Sequence, residues 1–151
     1  MIEAKKILVP VNGESTDPTV VTLACQIARR SRGRVYAIHV IEVRRTLPLD
    51  ADLSEEKQRA DAILDRAERL AEELGQALDT EILQARDIGT AIVDEASDAK
   101  ADLIVLGVPY RRKFGEFDLG RTIPHVLKHA ACEVWVCREP MAVSASRQPS
   151  T

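Results

Sequence analysis

The sequence predicts an α/β fold: an open, doubly wound, five-stranded parallel sheet with helices on both faces. Two observations carry this reading. Runs such as KILVPV, RVYAIHVIEV and LIVLG are apolar at nearly every position, as in strands buried on both faces. Between them lie segments whose apolar residues recur at helical spacing, giving the order β-α-β-α-β-α-β-α-β. Right-handed crossovers then produce a sheet covered on both sides. In such sheets ligands sit beyond the carboxyl ends of the strands, where strand order reverses. The loops after the first and fourth strands are therefore where a site is expected.

Lys6 to Val11 reads as the first strand, followed by turn chemistry in NGEST. Asp17 reads as a helix N-cap with Pro18 at the first helical position, and Val20, Val21, Ala24, Ile27 and Ala28 form the apolar stripe. That helix stops near Gly33, and Arg34 to Val43 is the second strand. A polar, proline-bearing loop leads to Ser54, whose hydroxyl reads as the cap of the longest helix, with Glu55 and Glu56 suiting its positive end. The stripe Ala60, Ile63, Leu64, Ala67, Leu70, Ala71 and Leu74 makes this helix a layer of the domain rather than a coiled coil. Thr80 to Gln84 reads as the third strand, Asp87 as the cap of the next helix, and Leu103 to Leu106 as the fourth strand. A helix over Pro124 to His129 and a last strand over Glu133 to Arg138 complete a single domain spanning residues 1–139. Residues 140–151, small and polar, read as a disordered tail.

The chain has 151 residues, 45% hydrophobic and 30% charged, enough for one core without staples. Aromatics make up only 3%, so Val, Ile, Leu and Ala must build that core. A net charge of −3 argues against nucleic acid as a partner. Cys25, Cys132 and Cys137 form no C-x-x-C pair and read as reduced, packed thiols, consistent with a cytoplasmic location. No run is apolar and long enough to span a membrane.

The loop after the fourth strand carries the chemistry. Read from Gly115, GEFDLGRT approximates the phosphate-cradling G-x-x-x-x-G-K-[ST], with Arg121 in place of lysine. A P-loop follows its strand directly, however, and VWVC, in the one strand that comes after, offers no Asp for magnesium. The P-loop reading therefore fails. Catalytic constellations are also missing: no serine sits in an elbow, and the His125/His129 pair lacks a further ligand at useful spacing, leaving surface or helix-end roles. His39, inside a strand run, reads as a core or pocket-edge histidine. No enzyme is expected.

ILVPVNGES, ADLIVLG and KHAACEVWVCR together resemble the universal stress protein family over residues 4–138. Nucleotide-binding members carry G-x2-G-x9-G-[ST] after the fourth strand. Gly107 and Gly120 stand at the first and last glycines with the spacing intact, while Tyr110 replaces the middle glycine and Arg121 the hydroxyl residue. Asn12 stands where binders often have an acidic residue at the end of the first strand. The resemblance implies a site for ATP (with Mg) or AMP built from Pro10, Val11, Asn12, Val40, Leu106, Gly107, Tyr110, Gly120, Arg121 and Thr122. Within it Gly107 would permit the turn, Gly120 would expose backbone N–H groups, and Arg121 would fork onto a phosphate. Thr122 is either the helix cap or a phosphate donor, and Tyr110 either closes the pocket or lines it. Arg111, Arg112 and Lys113 read as a basic turn that steers anions.

The last strand leaves a sheet edge to protect, and in the family this strand commonly pairs with its copy. A homodimer is expected through Val134, Trp135, Val136, Cys137 and Arg138. Two functions stay open at this point. One is a sensor domain that binds an adenine nucleotide. The other is a dimeric regulatory module without nucleotide, such as a transporter's cytoplasmic domain.

Overall fold

The computed structural model describes residues 4–141. The chain runs β1 (Lys6–Pro10), α1 (Asp17–Ser31), β2 (Arg34–Glu42), α2 (Ser54–Glu73), β3 (Leu78–Ala85), α3 (Ile88–Asp98) and β4 (Leu103–Val108). It continues through β5 (Arg112–Lys113), β6 (Glu116–Phe117), α4 (Thr122–His129) and β7 (Glu133–Arg138). Five strands form one parallel sheet in the order β3-β2-β1-β4-β7, as the sequence predicts. Strand order reverses between β1 and β4, which fixes where their following loops open. From residue 142 onward the expected tail lies outside the described residues.

Each face of the sheet has its own core. On one, Val9, Val35 and Val105 pack against Val20, Val21, Ile63 and Leu64 of α1 and α2. On the other, Leu8, Ile38 and Ile104 pack against Ile92 of α3 and Ile123 and Val126 of α4. Consecutive residues of β1, Ile7, Leu8 and Val9, are wholly buried, because successive side chains feed opposite faces. Among the described residues, no helix is long and apolar enough to cross a membrane.

Several local expectations are corrected. Asp17 does not cap α1. Thr16 is the N-cap and makes no side-chain cap, while the Asp17 carboxylate turns back to accept from the N–H groups of Asn12 (3.3 Å) and Gly13 (2.7 Å). Those two amides follow β1 and have no ladder partner, so a nearby carboxylate satisfies them at the expense of the helix end. Burial pushes the Asp17 carboxyl up, against the downward pull of the same two N–H groups. Ser54 is likewise the first helical residue rather than the cap. Leu53 holds the cap position, and the Ser54 hydroxyl donates to Asp52 at 2.9 Å. The third strand is longer than expected, because its charged residues Asp79 and Glu81 pair along β2 while their side chains face outward.

Asp87 caps α3 as predicted, accepting from the Thr90 N–H at 2.8 Å and the Thr90 hydroxyl at 2.7 Å. Those bonds hold its carboxyl below the usual value of 3.8. Asp87→Ala should cost about 1 kcal/mol in urea unfolding at neutral pH. Because the folded value is depressed, this contribution is present above the ordinary carboxylate value and fades as pH falls through the lower folded one. The gap between wild type and variant should therefore close in acid. A gap that stays constant down to pH 2 would refute the assignment.

Candidate functional site

The loops after β1 and β4 open onto a cavity of about 280 Å3 at the carboxyl ends of the strands. Nine of the ten predicted residues line it: Pro10, Val11, Asn12, Val40, Leu106, Gly107, Gly120, Arg121 and Thr122. The tenth, Tyr110, does not. Its ring stacks on Phe117 at 5.3 Å and 15°, with the Arg138 guanidinium 5.1 Å from its centroid. The side chain neither closes nor lines the cavity, because a hairpin offers it a better apolar surface than open solvent does.

That hairpin, β5 and β6, was not expected. Phe114 and Gly115 form its two-residue turn with φ of +54° and +81°. Positive φ at both central residues is what a tight hairpin requires, and here phenylalanine meets half of it. The hairpin brings Asp118 to the cavity wall, where its N–H donates to the Arg111 carbonyl at 2.8 Å.

Gly107 does not make a turn either. It lies within β4, paired with Cys137, and its missing side chain admits Thr16. A Cβ there would stand 2.6 Å from Thr16 Oγ1 and 2.7 Å from its Cβ. Gly120 is different. At φ +75° with open space around it, it is chosen for backbone conformation and bends the chain into α4.

α4 begins earlier than expected, at Thr122, with Arg121 as an N-cap that makes no side-chain cap. Thr122 is thus not the cap, and it lines the cavity wall. The first-turn N–H groups of Thr122 and Ile123 have no carbonyl a turn earlier to bond, and Pro124 has no N–H. Together with the Arg121 guanidinium they make one end of the cavity attractive to an anion.

The opposite wall is set by β1 and β2. His39 Nδ1 donates to the Val11 carbonyl at 2.7 Å, and because a carbonyl only accepts, that nitrogen carries the proton. The Asn12 side chain accepts from the Glu14 N–H at 3.0 Å and donates to its carboxylate at 3.3 Å. Glu14 also pairs with Arg111 at 2.7 Å, joining the β1 and β4 loops across the opening. Glu14, Asp118 and the α3 residues Ile88 and Ile92 were not anticipated as wall residues. The signal available for the last two was the Asp87 cap, which places the start of α3 at the carboxyl end of β3.

Further from the cavity, His125 packs its ring over Gly89, where a Cβ would meet it at 3.0 Å, and stacks obliquely on His129 at 4.5 Å. Among the described residues, no group of three or more His, Cys, Asp or Glu could hold a metal ion. Burial pushes the thiols of Cys25, Cys132 and Cys137 up, away from reactive thiolate.

Comparisons with known proteins agree with the resemblance. Residues 3–138 match the model of the universal stress protein family. A universal stress protein of Methanocaldococcus jannaschii is 32% identical over 142 residues, covering 90% of this chain and 83% of its own. The UspA protein of Lactobacillus plantarum superposes with a TM-score of 0.72 at 29% identity, over 91% of this chain and all of that one. A universal stress protein of Archaeoglobus fulgidus, solved in complex with dAMP, superposes with a TM-score of 0.72 at 20% identity, over 89% and 98% of the two chains. With this topology, this loop spacing and a family match over nearly its whole length, the chain belongs to the universal stress protein family.

Proposed function

We propose that this chain is a non-catalytic, cytoplasmic binding domain over residues 1–139 that holds an adenine nucleotide in the cavity at the β1/β4 switch point and acts as a homodimer through β7. One observation supports the nucleotide most: nine residues expected from the resemblance converge on one cavity, with an apolar floor at one end and the start of α4 at the other. Apolar walls from Val40, Leu106 and Ile92 suit a base. Arg121 and the α4 amides suit phosphate. The dAMP complex of the Archaeoglobus relative is in keeping with this arrangement.

Titration calorimetry with AMP, cyclic AMP, ADP and ATP, with and without magnesium, tests the reading. At least one should bind, and Arg121→Ala should weaken it about tenfold, the worth of a charge-assisted hydrogen bond. No heat from any of the four would overturn the reading. An unchanged affinity in Arg121→Ala would remove that residue from it.

A second reading, a regulatory module without nucleotide, is favoured by one contact, the Glu14–Arg111 pair that ties the two loops together at the opening. Silent calorimetry together with an intact dimer would select it.

A further inference from the structure

Resting on the nucleotide reading, we propose that the cavity selects a nucleoside monophosphate over the triphosphate, and that Glu139 and Asp118 set this choice. The donors best suited to a phosphate are gathered at one end, where Arg121, Thr122 and the first-turn amides of α4 stand. They are enough for one phosphate group. A second or third would have to extend along the β4 loop or the hairpin, and there several donors are already engaged.

Pro109, on the cavity wall, has no N–H to give. The next amide, that of Tyr110, donates to Glu139 Oε1 at 3.0 Å, and the other oxygen of that carboxylate accepts from the Ser15 hydroxyl at 2.9 Å. Glu139 is held in place by its own N–H, which donates to the Val108 carbonyl at 2.9 Å and carries β7 one residue further alongside β4. The chain's own carboxylate thus sits where the loop would otherwise present an amide and a hydroxyl to an anion. Gly120 repeats the pattern, its N–H facing Asp118 Oδ1 at 3.4 Å. The Arg111 guanidinium is engaged by Glu14.

Charge works in the same direction. Asp118 lines the cavity, and each phosphate added beyond the first brings more negative charge near it, while Glu14 is offset by its pair with Arg111. The volume is consistent too: about 280 Å3 lies just below the roughly 300–1,000 Å3 of ordinary ligand pockets.

The test is magnesium-free calorimetry of AMP and ATP on the wild-type protein, Asp118→Asn and Glu139→Gln. Glutamine keeps an acceptor for the Tyr110 amide while removing the charge, and Asp118 is exposed, so at least one variant should fold. Wild type should bind AMP at least about tenfold more tightly than ATP. The variants should narrow that ratio by improving ATP more than AMP, whereas damage to the fold would weaken both. Equal affinity for AMP and ATP in wild type would overturn the selectivity and leave the nucleotide reading intact. A ratio unchanged in both variants would overturn the roles of Asp118 and Glu139. Binding of neither nucleotide would overturn the underlying reading, and this one with it.

Discussion

Gly107→Val should destabilise the protein by about 3 kcal/mol, the upper range for overpacking a well-filled core, and lower Tm by roughly 10 °C. The position has ordinary strand conformation, so the cost is one of space rather than backbone strain. Even alanine would place a Cβ 2.6 Å from Thr16 Oγ1 and 3.1 Å from Val20 Cγ1. Thr16 is only 4% exposed and forms the N-cap of α1, so moving it aside means moving the start of the helix. Valine adds two further methyls at the same contact and should drive the start of α1 off the sheet. That displacement reaches the cavity, because the β1–α1 loop carries Asn12 and Glu14 on its wall. Urea unfolding gives the stability and calorimetry the ligand affinity, and both should fall together. Gly120→Ala is the contrast: with open space around the Cβ, it costs only the positive φ, about 1 kcal/mol. A Gly107→Val protein within 1 kcal/mol of wild type would show that α1 does not need this approach.

Gly107 also shows how far the sequence could be read. Its place in the motif spacing was visible, but its use was not. The sequence pattern marks a glycine, and only the packing of α1 on β4 says that the glycine admits Thr16 rather than turning the chain. The strands were legible because burial on both faces leaves continuous apolar runs, which fixed the sheet and its switch point. The ends of the helices were less legible. Asp17, Ser54 and Thr122 are all residues that favour caps, yet none is the cap: the Asp17 side chain went to loop amides, the Ser54 hydroxyl to Asp52, and Thr122 became the first residue of α4 on the cavity wall. Local propensity cannot see such competing partners. The β5–β6 hairpin left almost no trace, since its strands are two residues long and phenylalanine stands where asparagine would have signalled the turn. Missing the hairpin hid both the stacking surface for Tyr110 and the placement of Asp118. Glu139 was hidden for another reason: its partners, Ser15 and Tyr110, lie 124 and 29 residues away, and nothing local announces them.

Val136→Lys should convert the proposed dimer to a monomer, raising the dimer Kd about 100-fold or more, equivalent to roughly 2.8 kcal/mol. The sheet has two ends, β3 and β7, and they are protected differently. β3 carries Asp79 and Glu81, with Asp79 paired to Arg34 at 2.8 Å, and charge along an edge discourages pairing with another strand. β7 lacks that protection over Val134, Trp135 and Val136. Trp135 and Cys137 lean on the α1 core and Val134 on the α3/α4 core, while Val136 is 37% exposed and ranks among the exposed large hydrophobics of the described residues. Pairing β7 with its copy about a two-fold axis would bury Val136 twice and complete the backbone hydrogen bonding of the edge. Because the axis doubles any change, one lysine per chain removes two apolar contacts and sets two like charges near each other. Sedimentation should give twice the 16.7 kDa chain mass for wild type and a single chain mass for the variant. Matching melting curves at low concentration would show that the fold itself is unharmed, since Val136 contributes little to either core. A variant that still sediments as a dimer would move the interface away from β7, leaving the charged β3 edge or the hairpin face as the place to look.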